Sequence, residues 1–471
     1  MVTVKKGIVK ANKYAKTKKR GNQIYNNTKI LHNFYKDLFK TNKDLDLQLT
    51  LEKNNNSISN KFLKYIYTQL HTKQEIINAL NVEKSRTLEE NKSIINNKIR
   101  TIVNSHLRSS VYIDSELIDF ILTNTKCKIV TYKNIIKGKT YIFDFIIYNN
   151  EISITNLDLI VEKMLLMLQL IIAISKNETR NGQHVTFFLT PFKKKLNLNN
   201  NVILGAVNVN SGFTYPYLVN GVTFIYRKEE FFKVFIHESI HYYGIDKALH
   251  KQLNSNINYN KFINLFNIRA QDIANIGINE GLTEYWTFII YLIALSFKKS
   301  ITLANFIYEF ERLYRLELLH IIFQVVKILN YNKLTYTQFL NNSSNNSSNN
   351  SSANSSNKYK ETSHIFSYYI VKTLLVYNHE NMLKSTIFDM DFSNKLNITL
   401  KSDVNSINIL FINLLSYASD TRFINIINKV TNYFTNFTNY NNYNRTNNYS
   451  IYKRKIILNN LMMMYNDNNI I

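Results

Sequence analysis

The stretch Phe235-Ile236-His237-Glu238-Ser239-Ile240-His241-Tyr242-Tyr243-Gly244 constrains this chain more than any other. Residues four apart share one face of an α-helix, so His237 and His241 can aim both imidazoles at a single cation. Glu238 is rotated onto the neighbouring flank, where a carboxylate can act on a water at that cation without itself ligating. Phe231, Phe232, Val234, Phe235 and Ile236 lead in, Ile240 lies inside, and Gly244 offers a stop, which together predict a buried helix. A core helix with two hydrogen-bonded histidines would show the same pattern. A third ligand decides between the two.

Nearby candidates for that ligand fit poorly. Metzincin peptidases place it six residues after the second histidine. Gly244 matches their pattern, but the ligand position holds Lys247, a cation that repels a metal ion. Asp246 is one residue short, and His250 fits no known frame. Further on, the chain reads Gly277-Ile278-Asn279-Glu280-Gly281-Leu282-Thr283-Glu284-Tyr285-Trp286. Two carboxylates at i and i+4 are costly on a helix as apolar as Tyr285 to Phe297, unless a dication and an imidazole compensate them.

Together the two motifs resemble those of gluzincins, zinc peptidases that use two histidines and one glutamate. The Asn-Glu-Gly form is closest to metallo-aminopeptidases of the leukotriene-hydrolase type, and thermolysin-like enzymes carry a similar segment. The resemblance implies that His237, His241 and Glu280 bind Zn2+ and that Glu238 is the general base. It also implies that Glu284 bonds a ligand histidine and fixes its tautomer, with Asn279 in the same outer layer. It covers only these two short motifs. The gap from His241 to Glu280 is longer than in thermolysin, so a segment around Lys251 to Asn267 must be looped out. Gluzincins also place a Tyr or His from a later helix at the oxyanion; Tyr368, Tyr359 and His364 are the candidates here.

The remaining chain organises around that core. Its 471 residues, 45% of them hydrophobic, suffice for a sizeable core. The lone Cys127 excludes a disulfide framework and a cysteine-built metal site, and fits a reducing compartment. Residues 1–110 read as a basic, helical N-terminal region, with Ile30-Leu31, Phe34-Tyr35 and Leu38-Phe39 on one face. Residues 111–330 read as the catalytic core. Within it, strands are predicted at Lys128 to Tyr132, Tyr141 to Tyr148, Glu151 to Thr155, Val185 to Thr190, Val202 to Val209 and Val222 to Tyr226. Asn149-Asn150 reads as a hairpin turn, and Leu157 to Ser175 as a long apolar helix. Residues 331–358 form an Asn/Ser-rich linker, and 359–471 a helical C-terminal subdomain. The expected class is α+β: a small mixed sheet packed on a zincin-type active-site helix, then a mainly helical subdomain.

In zinc peptidases an edge strand beside the active-site helix pairs with extended substrate. Val222 to Tyr226 is the candidate, with Val222 and Phe224 as substrate contacts; an ordinary interior strand is the alternative.

The expected function is zinc-dependent peptide hydrolysis, endopeptidase rather than aminopeptidase, because the aminopeptidases' Gly-x-Met-Glu-Asn segment is absent. The formal charge is +25, and Lys5, Lys6, Lys10, Lys13, Lys16, Lys18, Lys19 and Arg20 crowd the start without an acid. Such an arm can meet nucleic acid or another polyanion. The alternative function is therefore a basic structural, nucleic-acid- or virion-associated protein on a degenerate peptidase fold. No secretory signal or transmembrane segment is evident, since Leu159 to Ile174 is short and carries Glu162, Lys163 and Gln169. An intracellular, soluble protein is expected.

Overall fold

A six-stranded sheet organises the chain. The computed structural model describes residues 29–40, 45, 49, 57–78, 83–124, 126–148, 152–175, 182–196, 202–215, 221–250, 256–298, 301–340, 358–393, 395–438 and 451–464. The strands are β1 (Glu83–Glu89), β2 (Cys127–Ile136), β3 (Lys139–Tyr148), β4 (Gly182–Phe188), β5 (Gly212–Thr214) and β6 (Val222–Ile225). Their spatial order is β1-β2-β3-β4-β6-β5. β3, β4 and β6 run parallel, while β1/β2, β2/β3 and β5/β6 are antiparallel. The sheet is therefore mixed, the class is α+β, and the C-terminal region is helical.

Two strand expectations need correction, and a third falls outside the described residues. Asn149-Asn150, expected as a hairpin turn, lie outside the described residues; β3 pairs in a hairpin with β2, across Lys137 and Gly138. Both have positive φ, 50° and 73°, the backbone that a twisted two-residue hairpin turn requires. The strand expected over Glu151 to Thr155 gives way to the helix Ile154–Ala173, because the Ser153 side chain caps it by accepting from the Asn156 N–H. Within Val202 to Val209 the regular element is one helical turn, Ala206–Val209. The N-terminal region is not wholly helical, since β1 lies within it. The basic arm and the Asn/Ser stretch 341–357 lie outside the described residues.

The sheet separates two packed layers. On one face Phe143, Phe145 and Phe187 receive the motif helix Phe231–Tyr242, with Phe143 and Phe235 ring centroids 5.7 Å apart and Phe187 and Phe231 6.0 Å. On the other, Ile146, Phe188 and Phe224 meet Ile95, Ile99, Val103, Leu107 and Leu117. Strand alternation dictates this division. All residues of the motif helix are buried, and the glutamate helix Ile278–Ser296 packs beside it. Gly281 makes the next contact possible: a Cβ there would lie 2.5 Å from Val371 Cγ1, in the π-helical turn Phe366–Val371. One apolar core runs from Ile30 in the N-terminal region to Met464. Among the described residues no helix is long and apolar enough to cross a membrane.

Phe235 ties the motif helix to the sheet, so Phe235→Ala is expected to cost about 3–5 kcal/mol. Chemical denaturation of the two proteins measures this, and a loss below about 1 kcal/mol contradicts the packing described.

Candidate metal centre

Two helices bring three donor atoms together. His237 Nε2 and His241 Nε2 are 3.1 Å apart, and each lies 3.2 Å from Glu280 Oε2. Among the described residues this is the one group of three or more His, Cys, Asp or Glu side chains spaced to share an ion. Around a tetrahedral zinc ion with bonds of about 2.0–2.1 Å, neighbouring ligand atoms sit about 3.3 Å apart. The triangle has nearly that edge. It leaves one tetrahedral position for water or substrate.

The far side of each imidazole meets a carboxylate. His237 Nδ1 lies 2.8 Å from Glu284 Oε1, and His241 Nδ1 lies 2.8 Å from Asp246 Oδ2. At His241 the contact is a hydrogen bond, and a proton held at Nδ1 leaves the Nε2 lone pair for a metal; at His237 it is a charge contact. Asn279 Nδ2 donates to Glu280 Oε1 (3.2 Å) and lies 3.5 Å from Asp246 Oδ2, joining the two carboxylates. Glu284 in turn meets Lys233 Nζ and, at 3.3 Å, Lys372 Nζ. The four carboxylates Glu238, Asp246, Glu280 and Glu284 face two ammonium groups, a surplus of two negative charges. Two imidazolium charges, or a dication with both imidazoles neutral, would balance this buried set.

The acid–base balance follows the same geometry. Burial pulls the pKa of both histidines down, but carboxylates outweigh it: Glu280 and Glu284 raise His237, while Asp246 and Glu280 raise His241 well above the usual range. Burial pushes Glu280 up, and the two imidazoles bring it well below an ordinary carboxylate. Glu238 is different. Burial raises it, the histidines only partly offset this, and among the described residues its carboxylate takes no hydrogen bond. A buried carboxylate with an elevated pKa and open oxygens is suited to accept and return a proton.

Other expected residues separate into those at the centre and those away from it. Tyr368 stands over His237, ring centroids 6.1 Å apart, and burial together with Glu280 and Glu238 raises its phenol well above 10. His364 lies behind Tyr368, with centroids 6.1 Å apart, and its Nδ1 donates to the Asn275 carbonyl. Tyr359 is elsewhere: its hydroxyl donates to Glu361 and its ring packs on Phe339. Val222 and Phe224 belong to β6, which lies between β4 and β5, so the expected edge strand is an interior one. Phe224 also points to the opposite face, against Phe213 and His106. The edge is β5. A Cβ on Gly212 would lie 2.9 Å from Val234 Cγ1 and 3.3 Å from Glu238 Oε1, so the absence of a side chain lets β5 approach the motif helix.

Four contributors went unread in the sequence: Asp246 as a partner of His241, Lys233, Lys372, and Tyr112. Asp246 carried a signal, being a buried-side acid just past the Gly244 stop. Tyr112 carried none, as one of 32 tyrosines. Its ring packs on Phe213 of β5, centroids 6.1 Å apart, and burial followed by Glu280 and Glu238 raises its phenol. Comparison with protein families, curated proteins and solved structures finds no match for this chain.

Asp246→Asn can turn an amide NH2 towards His241 Nδ1, which moves the imidazole proton to Nε2, the nitrogen that faces His237 and Glu280. Zinc affinity is expected to fall about 10- to 100-fold. Chelator competition measures it, and wild-type affinity contradicts the role given to Asp246.

Proposed function

We propose that this chain is a zinc-dependent metallopeptidase of gluzincin type. The observation that supports this best is the near-equilateral triangle of His237 Nε2, His241 Nε2 and Glu280 Oε2, with edges of 3.1, 3.2 and 3.2 Å. These three side chains would hold the ion. When bound, zinc supplies a Lewis acid that brings the pKa of water towards neutrality and polarises a carbonyl.

The rest of the work falls to the protein. Glu238 takes a proton from the attacking water and passes it to the leaving amine, converting it to a good leaving group. Tyr368, whose ring lies 6.1 Å from that of His237, would donate its hydroxyl to the oxygen that gains charge as the carbonyl becomes tetrahedral. Its neutral form persists because burial and the surrounding carboxylates oppose ionisation. Asp246 keeps His241 in one tautomer, and Glu284 orients His237. The substrate is an extended peptide, paired in register along the outer edge of β5 beside Glu238, with Tyr112 and Phe213 against its side chains. β5 ends the strand order, and pairing of an extended peptide on an edge strand suits cleavage within a chain, so endopeptidase action is the favoured form.

Glu238→Gln is expected to keep zinc at wild-type stoichiometry while hydrolysis of a denatured protein substrate falls at least about 100-fold. His237→Ala is expected to lose the metal. Elemental analysis by ICP-MS and a turnover assay read the pair. Undiminished turnover in the glutamine variant removes the assigned base, and retained zinc in the alanine variant removes the centre.

A further inference from the structure

The segment Ile457–Met464 lies under the motif helix, and its main chain is held by buried polar side chains from three directions. Lys327 Nζ donates to the carbonyls of Ile457 and Asn460. Tyr369 donates to Leu461 O at 2.6 Å. His320 Nε2 and Gln324 Nε2 lie 2.8 and 2.9 Å from Met462 O. Lys372 Nζ donates to Met463 O at 3.2 Å, and Lys233 Nζ touches Met463 Sδ at 3.1 Å. The carboxylate of Glu230 accepts both the Met463 and the Met464 N–H at 2.8 Å through Oε1, while its Oε2 holds Lys194 Nζ at 2.8 Å. Glu230 is fully buried, has the left-handed φ of 59°, and immediately precedes the motif helix.

Ordinary docking of a terminal segment buries apolar side chains. Here Glu230, His320, Lys327 and Lys372 are all buried as well, and each finds compensation in this segment's backbone. Buried ionisable groups are costly when such partners are lost. Two of the lysines in the network, Lys233 and Lys372, also hold Glu284, which meets His237. A continuous chain of contacts thus leads from Glu230 through Met463 to a metal-facing imidazole.

We propose that the C-terminal segment Leu461–Met464 is a positioning element of the metal centre, latched by Glu230 and acting through Lys233, Lys372 and Glu284 on His237. This rests on the metal-centre reading above. The segment fixes the two ammonium groups, which fix the Glu284 carboxylate, whose charge 2.8 Å from Nδ1 orients His237. The cation is therefore bound by residues on two helices but held in shape by a third part of the chain.

Glu230→Gln in the full chain tests this. The amide cannot accept from both N–H groups and also hold Lys194. Hydrogen exchange at Met463 and Met464 is expected to quicken, and the zinc dissociation constant, from chelator competition, to rise about 5-fold, below the effect of groups that touch a ligand directly. Lys327→Met loosens the same segment from the opposite side without touching the motif helix; it is expected to shift both readings likewise and supplies them if the glutamine variant does not fold. Ile99→Ala, on the far face of the sheet, is the control for general destabilisation and is expected to leave zinc affinity unchanged. Unaltered exchange in Glu230→Gln removes the latch. A loosened segment with wild-type zinc affinity, or equal weakening by Ile99→Ala, removes the coupling. Retained zinc in His237→Ala is a separate result: it removes the metal centre itself and not merely this element.

Discussion

The meeting of one carboxylate with two imidazoles, 39 and 43 positions away in the chain, is the contact on which the structure turns. Three atoms with exposed lone pairs do not sit 3.1–3.2 Å apart without something positive among them, whether protons or a metal. Holding them there requires two buried helices at a fixed separation. That separation is set by apolar packing on both sides, Phe235 against the sheet on one and Gly281 against Val371 on the other. The intervening loop is not idle. It contains the helix Ile257–Asn264, which packs on Val404–Ala418, and it bridges to Leu340 and Tyr359 before returning to the site.

The polar groups around the centre form a second constraint. Each carboxylate that meets an imidazole Nδ1 has its own partner, Asn279 for Asp246 and the two lysines for Glu284. Such a network is expensive when partly satisfied and rigid when complete. This explains why Lys233 of the motif helix and Lys372, which begins the helix after the π-helical turn, end at one place beside Met463. The π-helical turn has a related use: it presents Tyr368 towards His237 and sends Tyr369 into the C-terminal segment one residue later.

Much of the centre was legible before folding was considered. His237, Glu238 and His241 are separated by helical spacing, and Glu280 and Glu284 by one turn, so local periodicity alone groups them by face. The sheet was less legible. Lys137-Gly138 makes the tight turn between β2 and β3, a pair that composition did not single out. β6 was found but misplaced as an edge, because a strand's sequence does not say what lies on its other side. β5 is three residues long, too short for alternation to register.

By itself, the sequence determined that a buried helix would carry two imidazoles and a carboxylate, that a second apolar helix would carry two more carboxylates, and that the surrounding fold would mix helix and strand. These follow from side chains a few residues apart, where the backbone's own geometry fixes the distances. Tertiary structure alone decided which acid serves which histidine, that β5 and not β6 lies at the edge, and that Lys233, Lys372 and Met463 meet behind Glu284. Those pairings join residues far apart in the chain. No local period encodes them, and only the packing of complete elements brings the atoms within bonding distance.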